Sequence, residues 1–126
     1  MTTTAKGTLD VSDWEEAVTA EGEGRSKQAN AHCLSTFTGD LQGTGRADWL
    51  LVYVGDGTAF VGTQRFEGTL GGRSGSFVLR TRGSYTETGV EVEWEVVPGS
   101  GSDELAGLTG EGGYRNADYT LEYTLA

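Results

Sequence analysis

GRADWLLVYVGDGTAFVGTQRFEG, residues 45–68 of the chain, consists of two alternating apolar runs about an Asp56-Gly57 step. Asp-Gly between such runs is among the strongest short-range hairpin signals, because a two-residue primed turn matches the twist of the strands it joins. Pairing Gly55 with Thr58 sets Asp48 opposite Arg65 and Arg46 opposite Glu67, cross-strand ion pairs of the kind that help select a register. The reverse face gathers Trp49, Leu51 and Tyr53 with Phe60, Gly62, Gln64 and Phe66. A slip of one residue would invert this sorting, so turn chemistry and charge pairing support each other.

The next turn obeys the same logic. Gly71-Gly72 pairs Leu70 with Arg73 and carries Phe66 opposite Phe77, Gln64 opposite Leu79 and Thr63 opposite Arg80, which leaves Thr81 on the aromatic face with Leu79. A third hairpin turns near Glu87, Thr88 and Gly89. After it Glu91, Glu93 and Glu95 alternate with Val90, Val92, Trp94 and Val96, placing a glutamate beside Arg82 and Trp94 near Gly83.

Eight strand segments follow: Thr3 to Val11, Arg25 to Thr38, Gly43 to Val54, Thr58 to Thr69, Arg73 to Tyr85, Gly89 to Val97, Glu104 to Tyr114, and Asp118 to Leu125. Short turns between neighbours make an up-and-down meander, and eight such strands close into an all-β, eight-stranded antiparallel barrel with room for side chains or one small ligand. Asp13 to Ala20 reads as one or two helical turns stopped by Gly22 and Gly24. In the second strand, a turn at Asp40-Leu41 pairs Gly39 with Gln42, which directs His32, Leu34 and Thr36 inward. In the last strand Tyr119, Leu121, Tyr123 and Leu125 face in. Leu50, Val52, Val54, Val61 and Val78 fall on the outer face, where an apolar patch needs a cover. A second copy of the chain is the preferred cover, making a homo-oligomer, a dimer above all; the N-terminal segment folded over the wall is the alternative.

Composition narrows the function. The 126 residues form a single domain, and their 21 glycines mark turns, bulges and barrel bends. Pro98 stands where the third hairpin ends. A formal net charge of −10 argues against nucleic acid and against an anionic membrane as partner. A lone cysteine, Cys33, excludes an intrachain disulfide and multi-cysteine metal frameworks. No secretory pattern opens the chain, so a cytoplasmic location is expected. Gly72-Arg-Ser-Gly-Ser sits in a hairpin rather than a hydrolase elbow, and the Gly-x-Ser-x-Gly pattern near Gly99 is incomplete. No phosphate loop precedes a helix, so no nucleotide cofactor is expected. A metal would need His32 plus carboxylates, while the glutamates of the sixth strand point outward beside arginine, so no metal is expected either.

Phe37-Thr-Gly-Asp-Leu-Gln-Gly-Thr-Gly, Gly71-Gly-Arg-Ser-Gly-Ser-Phe-Val-Leu, the run from Val96 to Gly113 and the terminal Tyr119-Thr-Leu-Glu-Tyr together resemble the bacterial DUF3224 family over nearly the whole chain. The resemblance implies a barrel similar to those of allene oxide cyclase and dirigent proteins, which hold a small hydrophobic substrate in the lumen and guide it to a cyclised product. Two positions depart from the family pattern: Gln64-Arg65 stands where Glu-Arg is usual, and His32 where a small serine is usual.

His32 is the side chain whose unperturbed pKa lies near neutrality, which suits proton transfer, although a lone histidine is more often structural. Gln64 either orients a carbonyl or is a satisfied core amide. Tyr53, Tyr85, Tyr119 and Tyr123 can offer hydroxyls to an apolar cavity or simply fill the core. Trp49, Leu51, Phe60, Phe66, Phe77, Leu79, Thr81 and Trp94 either shape a ligand or pack as core. The expected function is a cofactor-independent cyclase or isomerase that templates ring closure of a small hydrophobic, polyketide-like substrate, with His32 and Gln64 as catalytic residues. The alternatives are a non-catalytic barrel that binds a small hydrophobic ligand, and a structural or assembly protein with a filled core.

Overall fold

A computed structural model describes residues 2–21 and 26–125. Eight antiparallel strands close in a ring of hydrogen bonds in chain order, β8 returning to β1. They are β1 (Thr3–Ala20), β2 (Lys27–Gly39), β3 (Leu41–Val54), β4 (Gly57–Leu70), β5 (Arg73–Thr86), β6 (Gly89–Val96), β7 (Leu108–Arg115) and β8 (Asp118–Leu125). A short 3-10 turn, Asp103–Leu105, precedes β7, so the strand expected from Glu104 begins four residues later.

Turn chemistry sets the central registers. Gly71 and Gly72 both have positive φ, 57° and 86°, as a type I′ turn requires, and every partner expected across β4 and β5 is found. At the β3–β4 turn the central residues are Gly55 and Asp56 rather than Asp56 and Gly57: Gly55 takes φ 60° in the first central place, and Val54 pairs with Gly57. That moves each partner by two residues, so faces are kept while opposites change. Arg46 stands opposite Arg65, Asp48 opposite Thr63, and Glu67 opposite Thr44. The expected cross-strand pairs Asp48–Arg65 and Arg46–Glu67 therefore do not form. Instead the charges pair along each strand, Arg46 with Asp48 at 3.6 Å and Arg65 with Glu67 at 3.4 Å, which offsets the two facing arginines. Across β5 and β6, Arg82 meets Glu93 and Arg80 meets Glu95. Trp94 lies opposite Thr81, and it is Val92 and the Phe60 ring that crowd Gly83, where an added Cβ would sit 2.8 Å from the ring.

The second strand departs from expectation by one residue, which is enough to turn it over. Phe37 pairs with Gly43 and Cys33 with Ala47, so Ala29, Ala31, Cys33, Ser35 and Phe37 face in, whereas His32, Leu34 and Thr36 face out. The cause lies outside the hairpin. At the corner, Leu41 N–H donates to the Tyr119 hydroxyl at 2.9 Å, Asp40 N–H to Lys6 O, and Gly71 N–H to Asp40 O. The Tyr119 hydroxyl in turn donates to Thr38 O at 2.7 Å. Remote partners thus satisfy the backbone groups that a two-residue turn would have paired locally.

Residues 13–20, expected as helix, continue β1. Asp13 adopts φ 55° at a β-bulge between Ser12 and Glu15, and beyond it Glu16 pairs with Ala31 and Val18 with Ala29. Gly22, Gly24 and Arg25, invoked at the first turn, lie outside the described residues. Because β8 pairs only with Thr3–Thr8, the second half of β1 rises above its other neighbour and forms one side of an open rim. The N-terminal segment is therefore part of the barrel and does not cover its wall. At the opposite end Phe37, Leu41, Phe66, Leu70, Phe77, Leu105 and Leu108 pack into a solid floor. Ser100 and Ser102 tie the loop after β6 to β5, each hydroxyl accepting a backbone N–H, from Val78 at 3.0 Å and Ser76 at 3.1 Å.

Candidate functional site

Above the floor the barrel is hollow. A cavity of about 590 Å³ runs from Gln64, Cys33 and Ser35 at depth, past Trp49, Leu51, Phe60 and Tyr114, to a mouth bounded by Val11, Trp14, the 55–58 turn, Tyr85, Val90 and Asn116. The alternation on β3 and β4 makes this lining: Trp49, Leu51 and Tyr53 point inward on one strand, Phe60 and Gln64 on the next. Trp49 and Phe60 meet edge to face with ring centres 4.9 Å apart.

The expected site residues divide into three groups. Trp49, Leu51, Tyr53, Phe60 and Gln64 line the cavity. Phe66, Phe77, Leu79, Thr81, Trp94 and Tyr119 also face inward but are packed in the core rather than on the cavity wall, and Tyr123 is half-buried, its hydroxyl near the Gly71 turn at the closed end. His32 stands outside altogether. Its ring Nε2 lies 2.8 Å from a Glu15 carboxylate oxygen on the outer wall, and 42% of its side chain is exposed. His32 and Gln64 are thus separated by the sheet itself, and the single-residue slip of β2 exchanges His32 for Cys33 and Ser35 on the inner wall. Sequence reasoning also missed Tyr114, which follows Gly110, Gly112 and Gly113 in a strand without apolar alternation, and Trp14, which the bulge at Asp13 brings to the mouth.

Polar groups in the lining are few. Gln64 is 2% exposed and Ser35 3%, and neither forms a hydrogen bond with another described residue. Burial pushes the Tyr114 hydroxyl up to about 12 and raises the Cys33 thiol, so both keep their protons at neutral pH. The Trp49 indole N–H leans toward the Cys33 sulfur, a weak acceptor, and makes no well-formed hydrogen bond. At the mouth, Tyr53 donates to a Glu16 carboxylate oxygen at 2.5 Å, the Trp14 indole donates to the same carboxylate at 3.0 Å, and Lys27 Nζ lies 4.6 Å from the Tyr53 ring centre. Hydrogen bonding to Glu16, chiefly, pushes Tyr53 up to about 12, and the same bond lowers Glu16. No group of three or more His, Cys, Asp or Glu among the described residues is arranged to hold a metal.

The outer wall carries a depression of about 670 Å³, but it is shallow, with Leu50, Val52 and Val61 set among Arg82, Glu91, Glu93 and Arg115. Leu50, Val54 and Val61 are exposed there, whereas Val52 and Val78 are half-buried.

Comparison with known proteins agrees with the architecture. Residues 5–126 match a family described as a protein of unknown function, DUF3224. No curated protein matches the chain. A crystal structure of a DUF3224 protein of unknown function from Shewanella oneidensis MR-1 is similar to it, with 27% identity, a TM-score of 0.81, and coverage of 100% of this chain and 98% of that one. The chain belongs to the DUF3224 family.

Proposed function

We propose that the lumen binds one small, largely apolar molecule. The observation that carries this reading is the cavity of about 590 Å³ above a filled floor, open at one end, walled by aromatic rings and provided with a few polar groups at depth. That is the ordinary make-up of a small-molecule site, concave and mostly apolar with sparse hydrogen-bonding groups. A structural protein with a filled core has no need of such a space.

Ring closure or isomerisation of a polyketide-like substrate is the second reading, favoured by the neutral donors Gln64 and Tyr114 in the cavity lining. Without a base in the lumen, catalysis would consist of folding a flexible chain into its reactive conformer and polarising a carbonyl by hydrogen bonding. His32 has no part in it.

Titration with N-phenyl-1-naphthylamine, whose fluorescence rises in apolar surroundings, tests binding. Wild type should saturate at one probe per chain, and Ser35→Phe, which places a ring in the cavity, should abolish the signal while the fold is retained. Saturation unchanged by Ser35→Phe would refute the lumen as the site. Conversion of linear enone precursors to cyclic products would add the catalytic reading; stoichiometric binding without product would leave the binder.

A further inference from the structure

We infer that the lumen selects uncharged ligands with a carbonyl-type polar end, seated head first on Gln64 and Ser35, and excludes carboxylates. The inference rests on the reading of the lumen as a binding site and names what that site takes.

Gln64 and Ser35 are almost wholly buried, line the cavity, and lack hydrogen-bond partners among the described residues. Their polar atoms are not among the fully enclosed ones without a partner, which are Trp49 Nε1, Thr81 Oγ1 and Trp94 Nε1, so the Gln64 amide and Ser35 hydroxyl open onto the cavity, where only water or a bound molecule can meet them. Both lie toward the floor. Cys33, Ala47 and Gln64 form one cross-strand row, and Ser35 lies two residues deeper along β2. The wall between them and the mouth is largely apolar, with Trp49, Leu51 and Phe60 beside the single hydroxyl of Tyr114. A ligand with one polar end and an apolar body therefore matches the lumen in a single orientation.

Charge narrows the class further. Asp56, at the rim, is the one charged side chain lining the cavity among the described residues, and Glu16 lies close by, bonded to Tyr53. Among the described residues no cationic side chain lines the cavity, Lys27 lying at the mouth over the Tyr53 ring, and burying an unpaired carboxylate is far costlier than burying a ketone or an amide. The protein's net charge of −10 opposes anion entry as well. Amide and hydroxyl can each both donate and accept, so a ketone, lactone, amide or alcohol head would be met.

Three probes of one shape test this by calorimetric titration: 2-acetylnaphthalene, 2-ethylnaphthalene and 2-naphthoate. Because the ethyl compound is the more hydrophobic, the informative quantity is the ketone-to-ethyl affinity ratio and its change on mutation. Gln64→Leu should lower that ratio about fivefold, the size of one net hydrogen bond, and Ser35→Ala should lower it in the same direction should Gln64→Leu not fold. The naphthoate should bind wild type at least roughly 20-fold more weakly than the ketone. A ratio moved by neither substitution, or a naphthoate as tight as the ketone, would overturn the inference while leaving the ligand chamber intact. If none of the three bound, chamber and selectivity would fall together.

Discussion

Tyr119→Phe removes one hydroxyl from the corner that decides which face of β2 lines the lumen. Tyr119 is 1% exposed, and its hydroxyl accepts from Leu41 N–H at 2.9 Å and donates to Thr38 O at 2.7 Å. After the substitution the carbonyl of Thr38, an exposed residue, can turn to water, but the N–H of Leu41, 0% exposed, cannot. The loss is therefore that of one orphaned buried donor, about 1–3 kcal/mol. For a chain of this size each kcal/mol shifts the melting temperature by roughly 3–5 °C. Tyr114→Phe deletes the same group where no hydrogen bond to a described residue is lost, and should cost distinctly less than Tyr119→Phe. Urea denaturation of the two variants against wild type makes the comparison. Equal stabilities for the two, with unchanged m-values, would refute the corner as the determinant of β2's register.

His32→Ala should leave probe affinity unchanged and alter stability by less than about 0.5 kcal/mol, since its partner Glu15 is solvent-exposed and such pairs contribute little; a tenfold loss of affinity in the same titration would return it to the site. A spectrophotometric tyrosine titration should show Tyr53 and Tyr114 ionising near pH 12, behind the ordinary value of 10. Because folding raises these pKa values, the neutral forms support the fold fully below pH 10 and lose that contribution as pH climbs toward 12, so urea midpoints should fall across that window. Glu16 runs the other way: its pKa is lowered from 4.5, so the Tyr53 bond is fully held above 4.5 and its contribution is lost as pH falls through the lowered value, which the NMR shifts of the Tyr53 ring protons should report and Glu16→Gln should abolish.

Where a hairpin carries its own turn glycines, its faces were legible in the sequence. Gly71-Gly72 and the alternation through β3 to β6 assign Trp49, Leu51, Phe60 and Gln64 inward, and they line the cavity. Individual partners were less legible, because type I′ and type II′ turns around Gly55-Asp56-Gly57 give registers of the same parity, and ion pairing along a strand competes with pairing across it. The β2 face was not legible: its corner is set by Tyr119 and Lys6, the first 78 residues away from Leu41 in the chain. That one slip removed His32 from the site and put Cys33 and Ser35 into it. The bulge at Asp13 hid the second half of β1 in the same way, since a residue inserted out of phase breaks the alternation that marks a strand.

Leu50 and Leu51 are neighbours in the chain and lie on opposite sides of the wall, which makes them the most direct reporters of where a ligand sits. With 2-acetylnaphthalene bound to protein labelled at leucine and valine methyls, nuclear Overhauser contacts from the naphthyl protons should reach the methyls of Leu51 and miss Leu50. Contacts to Leu50 and Val61 without Leu51 would move the ligand to the outer wall and contradict the account.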